Sequence, residues 1–361
     1  MRIRLSGTSG PAGWPAPNCP CASCNRATDN RRLPARVTVD GAFTLRAPGA
    51  GTLTAGQVPA GYTVTTTPYG TRVEGPGGES LLYACPEAPA DPPTTAGGHA
   101  PVPPPQQVDL ALVDVVESPR SVGALRRAGV VGTTTAVAAL GGDHRLHSPA
   151  EFERRARLWG TFAPSDGQEL PCPPAAWPPS RIRGPHRALV TGGARSGKSA
   201  EAERRLLAEP EVTYIATGPT ADGDDAWRER VEAHRARRPW WWRTEETLDV
   251  AAVLRRASGA VLLDCVGTWL AGVLDACGMW DEQPPVGAEE ELRARIDELV
   301  EAWRRCGAYA IAVTNEVGSG VVPPTASGGM FRDYLGRVNQ RLAAESEDVV
   351  LTAVGRISEL P

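Results

Sequence analysis

No apolar stretch in this 361-residue chain approaches the roughly 18–20 residues a membrane-spanning helix needs. The opening Met1-Arg2-Ile3-Arg4-Leu5 has no apolar core of signal-peptide length behind it, so the cytoplasm is the expected compartment. Charge of one sign is also in short supply. The formal net charge of -4 gives no electrostatic reason to expect a nucleic-acid partner. No internal repeat is present. Eight cysteines do not make a disulfide framework, because they are scattered apart from one tight cluster, Cys19-Pro20-Cys21-Ala22-Ser23-Cys24. Histidine is scarce. Of five, His99, His144, His147 and His186 lie before residue 187 and His234 alone follows it.

What is present is led by Gly192-Gly193-Ala194-Arg195-Ser196-Gly197-Lys198-Ser199, which fits the phosphate-binding pattern G-x-x-x-x-G-K-[ST]. The apolar run Ala188-Leu189-Val190-Thr191 enters it as a strand, and an Ala-, Glu-, Arg- and Leu-rich helix leaves it from Lys198, the setting this motif requires. Its glycines turn backbone N–H groups toward an anion, and the helix N-terminus adds positive potential. Lys198 is placed to reach the β- and γ-phosphates, and the Ser199 hydroxyl to ligate Mg²⁺. The loop establishes nucleotide binding, not the reaction.

Composition divides the chain. We expect an N-terminal region over 1–163 with a Pro-rich insert at 86–107, a Pro-rich linker at 164–186, and a C-terminal domain at 187–361. In the C-terminal domain, strands at Val212–Ala216, Ala260–Asp264, Tyr309–Thr314 and Val349–Val354 alternate with helices at 198–208, 225–237, 289–305 and 331–345. Such alternation predicts an α/β fold, P-loop NTPase-like, with a mostly parallel sheet and helices on both faces. Ligands then sit at the C-terminal strand ends, near Thr217, Asp264 and Asn315-Glu316. The N-terminal region reads as smaller and mixed α+β. Its expected strands are Arg36–Val39, Ala42–Leu45, Tyr62–Thr67 and Asp109–Val116, and its expected helices Ser121–Ala128 and Glu151–Leu158.

His234 sits among Arg235, Arg237 and Arg238, which are able to hold a polyphosphate by charge-assisted hydrogen bonds. A neutral imidazole can attack phosphorus and form a phosphoramidate, and nearby cations favour the neutral form. On local sequence the competing reading is a solvated histidine on a basic helix.

Five patches occur together: GGARSGKS, YIATG from Tyr214, RVEAHRARRP from Arg230, VTNEVGSGVVP from Val313 and FRDYLGRVNQRLA from Phe331. In order and spacing they resemble the bifunctional adenosylcobinamide kinase / adenosylcobinamide-phosphate guanylyltransferase family of cobalamin biosynthesis, over about Arg187 to Ser358. The resemblance implies two reactions. A nucleoside triphosphate, ATP or GTP, phosphorylates adenosylcobinamide. GTP then transfers GMP to adenosylcobinamide phosphate through a covalent histidine, here His234. It also implies a nucleotide site built from Gly192 to Ser199, from Ala216, Thr217 and Gly218, from Arg235, Ala236, Arg237 and Arg238, and from Glu246 and Asp264. Mg²⁺ is the implied cofactor, and a homo-oligomer, a trimer with active sites near subunit boundaries, the implied assembly. For Asp264 a helix cap, for Glu246 a solvated loop carboxylate, and for Asn315 and Glu316 the fixing of a Gly-rich turn are the simpler alternatives. Pro324 to Met330 departs from the family, whose members carry a more charged segment there. Trp240-Trp241-Trp242 is unusually aromatic and reads more readily as core or interface packing than as a cover for the substrate.

The region around Cys19, Cys21 and Cys24 resembles the opening of metallo-β-lactamase-fold phosphodiesterases, some of which hold a structural zinc with a similar cluster and a distant histidine. That resemblance implies Cys19, Cys21, Cys24 and His144 as a Zn²⁺ site. The catalytic H-x-H-x-D-H motif of that fold is absent, so the region reads as a catalytically inactive relative. Two further readings stay open here: a P-loop regulatory protein without guanylyl transfer, and an N-terminal hydrolase with an accessory C-terminal half.

Overall fold

The computed structural model describes all residues except 46, 48–57, 87, 91–105, 176–181, 183, 219–228, 230–231 and 233–234. The chain divides into two compact units, Met1–Arg181 with Leu207–Pro210, and Ile182–Leu206 with Glu211–Pro361.

The first unit contains two sheets. One has the order β3-β2-β1-β9, from β1 (Arg2–Gly7), β2 (Arg36–Val39), β3 (Phe43–Leu45) and β9 (Glu169–Pro171), all antiparallel. The other has the order β4-β5-β6-β7-β8, from β4 (Thr63–Thr67), β5 (Gly70–Glu74), β6 (Ser80–Ala84), β7 (Leu110–Asp114) and β8 (Ala136–Leu140). Its last three strands are parallel. Every residue of β6 and β8 is buried, and the period-two geometry of a strand divides their side chains between two cores. Leu81, Tyr83, Leu110, Leu112, Ala136 and Ala138 pack with Ile3, Leu5, Val37 and Val39 of the first sheet. Leu82, Ala111, Val113, Val137 and Ala139 pack instead with Val122 and Leu125 of α2 (Ser121–Arg127), Phe152 and Ala156 of α3 (Pro149–Leu158), and the fully buried Trp14 and Trp159.

Helix α3 begins at Pro149, two residues ahead of the expected 151. The Ser148 hydroxyl accepts from the Glu151 amide, and Pro149 occupies the first turn. A short helix, α1 (Ala22–Arg26), contains Cys24 and is capped by Cys21. Strand β9 falls inside the stretch expected to be linker, 164–186. Its three residues form an edge strand on β1, a position that tolerates the flanking prolines because only one side need bond.

The second unit is one seven-stranded sheet of order β12-β11-β13-β14-β10-β15-β16. Its strands are β10 (His186–Gly192), β11 (Val212–Ala216), β12 (Arg243–Glu246), β13 (Ala260–Asp264), β14 (Tyr309–Asn315), β15 (Asp348–Ala353) and β16 (Arg356–Leu360). All neighbours are parallel except β15 and β16. Helix α4 (Lys198–Leu206) follows β10. Helices α5 (Val250–Arg256), α6 (Val266–Ala276), α7 (Ala288–Arg305) and α8 (Ala326–Ala344) bury Leu254, Trp269, Leu299 and Leu335 with Leu189, Ile215, Leu263 and Ala312 of the sheet. The fold is thus α/β with a mostly parallel sheet, as the alternation predicts. Helix α8 begins five residues ahead of the expected 331 because Thr325 caps it, accepting from the Gly328 amide. Among the described residues no helix is long and apolar enough to cross a membrane.

Candidate active site

The C-terminal edge of the parallel sheet gathers the chemistry. In register across it, Glu246 faces Ala216, Ala216 faces Asp264, and Gly192 faces Asn315 and Thr352. β10 leads straight into the phosphate loop, which turns back into α4 at Lys198. The loop has little room. A Cβ on Gly192 would lie 2.4 Å from Thr352 Oγ1 and 2.6 Å from Ser196 Oγ, and Gly197 holds a φ of +100° that side-chain-bearing residues rarely adopt. Ser196 is anchored to β15, its hydroxyl 2.8 Å from that of Thr352, and its carbonyl accepts from the Gly355 amide.

Lys198 is the only lysine in the chain. It is buried, and its ammonium donates to the loop's own Gly193 carbonyl at 3.2 Å. One residue on, Ser199 Oγ donates to Asp264 Oδ1 at 3.4 Å. The other carboxylate oxygen, Oδ2, accepts from the Tyr214 hydroxyl at 2.9 Å. A hydroxyl and a carboxylate converging beside the phosphate loop form an oxygen donor set suited to a hard cation carrying phosphates.

Thr217 lies at the same edge, with its hydroxyl used within the protein. It donates to the Cys265 carbonyl at 2.7 Å, accepts from the Cys265 amide at 3.1 Å and lies 2.7 Å from Thr268 Oγ1. This knits the end of β11 to the start of α6, where Cys265 and Thr268 form a reciprocal cap. Gly218 follows Thr217.

His234 lies outside the described residues. Of its neighbours, Arg235 pairs with Glu246 at 2.9 Å, both side chains more than half exposed, and Ala236 is exposed. Arg237 grips Glu203 of α4 with two bonds of 2.9 and 3.1 Å. Burial pushes the Glu203 carboxyl above its ordinary range, and Arg237 opposes that rise. Arg238 is buried, with its guanidinium 3.7 Å from the Tyr214 ring centroid and donating to Thr244 Oγ1 at 3.2 Å. Glu316 accepts from the Gly318 and Ser319 amides at 2.7 and 3.1 Å, holding the Gly-rich turn. Asn315 receives Asn339 Nδ2 on its carbonyl. In the tryptophan run, Trp240 is 71% exposed and Trp242 buried.

Two residues at this edge had no role in the sequence reading. Glu203 had a usable signal, since it stands four residues after Ser199 and so shares its helix face. Tyr214 opens the YIATG patch, but nothing in that string shows that its hydroxyl reaches Asp264.

A second cluster lies in the first unit. The ligand atoms of Cys19, Cys21, Cys24 and His144 all fall within 4.8 Å of one another, with Cys19 Sγ 3.4 Å from His144 Nδ1. Helix α1 sets the spacing: Cys21 caps it, accepting from the Cys24 amide, and Cys24 Sγ accepts from the Ala16 amide. Between them Ser23 receives Trp14 Nε1 and donates to the Leu146 carbonyl, near His144 in the chain. Burial foremost pushes the Cys24 thiol up to about 11, whereas the Cys24 backbone amide lowers that of Cys21. All eight cysteines are free of disulfides.

Comparison with known proteins gives one family match, cobinamide kinase / cobinamide phosphate guanyltransferase, over residues 188–360. The bifunctional adenosylcobalamin biosynthesis protein CobU of Escherichia coli is 42% identical over 177 residues, 46% of this chain and 95% of that protein. The protein of the same name from Salmonella typhimurium is 41% identical over the same coverage. Protein CobP of Pseudomonas aeruginosa, also described as a bifunctional adenosylcobalamin biosynthesis protein, is 39% identical over 175 residues, 47% of this chain and 94% of that one.

Proposed function

The chain belongs, through residues 188–360, to the cobinamide kinase / cobinamide phosphate guanyltransferase family, and we propose that it runs both reactions in sequence, passing GMP through His234. The observation that carries the reading is the convergence of Lys198, Ser199 and Asp264 at the C-terminal edge of the sheet, within a stretch similar along nearly the whole length of bifunctional enzymes of adenosylcobalamin biosynthesis.

In the kinase step, the amides of the loop from Gly192 to Ser199 cradle the triphosphate. Lys198 exchanges the Gly193 carbonyl for phosphate oxygens. The substrate hydroxyl of adenosylcobinamide attacks the γ-phosphorus, its O–P bond forming as the bond to the leaving nucleoside diphosphate breaks and its proton passing to solvent. Ser199 and Asp264 would hold Mg²⁺, which when bound offsets charge on the transferring group. Positioning and electrostatics do most of the work.

In the second step, the imidazole of His234 attacks the α-phosphorus of GTP. A P–N bond forms and pyrophosphate leaves. An oxygen of adenosylcobinamide phosphate then displaces the imidazole, giving adenosylcobinamide-GDP. The arginines divide in role. Arg237 and Arg238 are committed to Glu203, Tyr214 and Thr244, and they seat the segment. Among the described residues Arg235 holds a solvent-screened pair with Glu246, worth little, and exchanges it most cheaply for a phosphate. Ala216, Thr217, Gly218, Ala236 and Glu246 complete the nucleotide site.

The assay is GTP labelled at the α-phosphate, with Mg²⁺ and without corrinoid, on the parent and His234→Ala. Acid-labile label on the parent and none on the variant supports the covalent histidine. An unlabelled parent that still binds GTP removes guanylyl transfer and leaves a kinase or a nucleotide switch.

For the first unit, three thiols and one imidazole form the soft, four-ligand set a closed zinc site uses. Cys19, Cys21, Cys24 and His144 thus hold a structural Zn²⁺ in a catalytically inactive unit that stabilises the chain or docks a partner. The enzyme works in the cytoplasm as a homo-oligomer, a trimer by the resemblance.

A further inference from the structure

We propose that Tyr214 is a positioning residue for the kinase step, its phenol fixing the Asp264 carboxylate with one oxygen toward Ser199. The proposal rests on Ser199 and Asp264 being the metal-side pair. Tyr214 lies on β11 and Asp264 ends the neighbouring β13, two rungs further along the ladder. The phenol donates to Oδ2 at 2.9 Å while Oδ1 accepts from Ser199 at 3.4 Å. A carboxylate rotates broadly about its last torsion, and a donor on one oxygen fixes where the other points.

The ring itself is gripped. Arg238 lies on its face, 3.7 Å from the centroid, and is tied in turn to Thr244 on β12. Tyr214 is 4% exposed, and packing alone would be served by phenylalanine, which buries no hydroxyl.

The test uses the full chain with Tyr214→Phe, Arg238→Met and Asp264→Asn. Binding of a fluorescent ATP analogue is titrated against Mg²⁺ without corrinoid, and kinase kcat and KM are measured alongside. Tyr214→Phe should raise the Mg²⁺ concentration for half-maximal binding about ten-fold and lower kcat about as much, with the nucleotide KM at saturating Mg²⁺ within about two-fold. Arg238→Met, which keeps the hydroxyl but frees the ring, should shift the Mg²⁺ requirement about two- to three-fold. Thermal melts show which variants are folded at the assay temperature, and Arg238→Met carries the test should Tyr214→Phe fail to fold. A Mg²⁺ requirement unchanged in Tyr214→Phe but raised in Asp264→Asn overturns the role of Tyr214. A requirement unchanged in Asp264→Asn overturns the underlying assignment of the metal-side pair.

Discussion

In the first unit, three thiols and an imidazole converge from a loop, a five-residue helix and the turn after β8. In the second, a hydroxyl, an ammonium and a carboxylate converge at the edge of a parallel sheet. The contrast is chemical. Four sulfur and nitrogen donors can satisfy a tetrahedral ion and leave it no open position. Two oxygen donors leave most positions of an octahedral ion to phosphates and water. The first arrangement is suited to hold a fold together, the second to turn over. The supports differ accordingly: the thiols are set by short-range N–H···S bonds around α1, whereas Asp264 is set across strands by Tyr214.

The largest expected effect breaks the second cluster and spares the first. Lys198→Ala should lower kinase turnover on the order of 10³-fold while leaving bound metal unchanged. Because Lys198 is the only lysine, an amine-directed acylating reagent reads a single side chain, and ATP with Mg²⁺ should protect it. Peptide mapping by mass spectrometry checks this, and labelling indifferent to nucleotide would argue against the loop as the phosphate site.

The reciprocal experiment is Cys24→Ser. Metal content by elemental analysis should fall from about one zinc per chain toward zero, and the thermal midpoint by roughly 10 °C. ATP binding should stay within about two-fold. A parent without zinc, or a variant that keeps it, refutes the closed site.

The smallest effect compares acid response. Glu151 is buried, which alone would raise its carboxyl, but Arg154 and Arg155 hold it down at about 2 against an ordinary 4.5. A depressed carboxyl stabilises the fold above the unfolded value, and the contribution is lost as pH falls through the folded one. The window therefore runs from about 4.5 down to about 2, and the loss is on the order of 2–3 kcal/mol. Glu347 of the second unit is also held at about 2, first by its bond to Arg187, but its side chain is 38% exposed and solvent screens the pair. Denaturant melts of Glu151→Gln and Glu347→Gln at pH 3 and 7 should show the pH dependence flattened more by the first. Equal effects would mean that exposure does not separate the pairs.

How much could be read in advance varied with how local the cause was. The phosphate loop is contiguous, so its glycines, Lys198 and Ser199 are visible as a string. The central strands of the second unit are visible because a strand buried on both faces reads as an unbroken apolar run. Helix α6 was missed, since its apolar, capped sequence follows directly on β13 and blurs the change of period. In the first unit β1, β5 and β9 were missed because short strands with partly exposed residues resemble loops, and β6 and β8 because a five-residue apolar run does not by its period separate a strand from a buried helix.

By itself the sequence determined the phosphate loop, the strand–helix alternation, the three closely spaced cysteines and the patches that carry the family. Each of these depends on neighbours within one turn or one strand, where covalent geometry decides the outcome. Tertiary structure alone decided that β11 lies beside β13, so that Tyr214 reaches Asp264. It likewise brought His144 to cysteines more than a hundred residues earlier, and tied Arg237 to Glu203 and Arg238 to Tyr214. Strand order and long-range approach are set by how whole apolar faces bury against one another, and no short window of sequence contains that information.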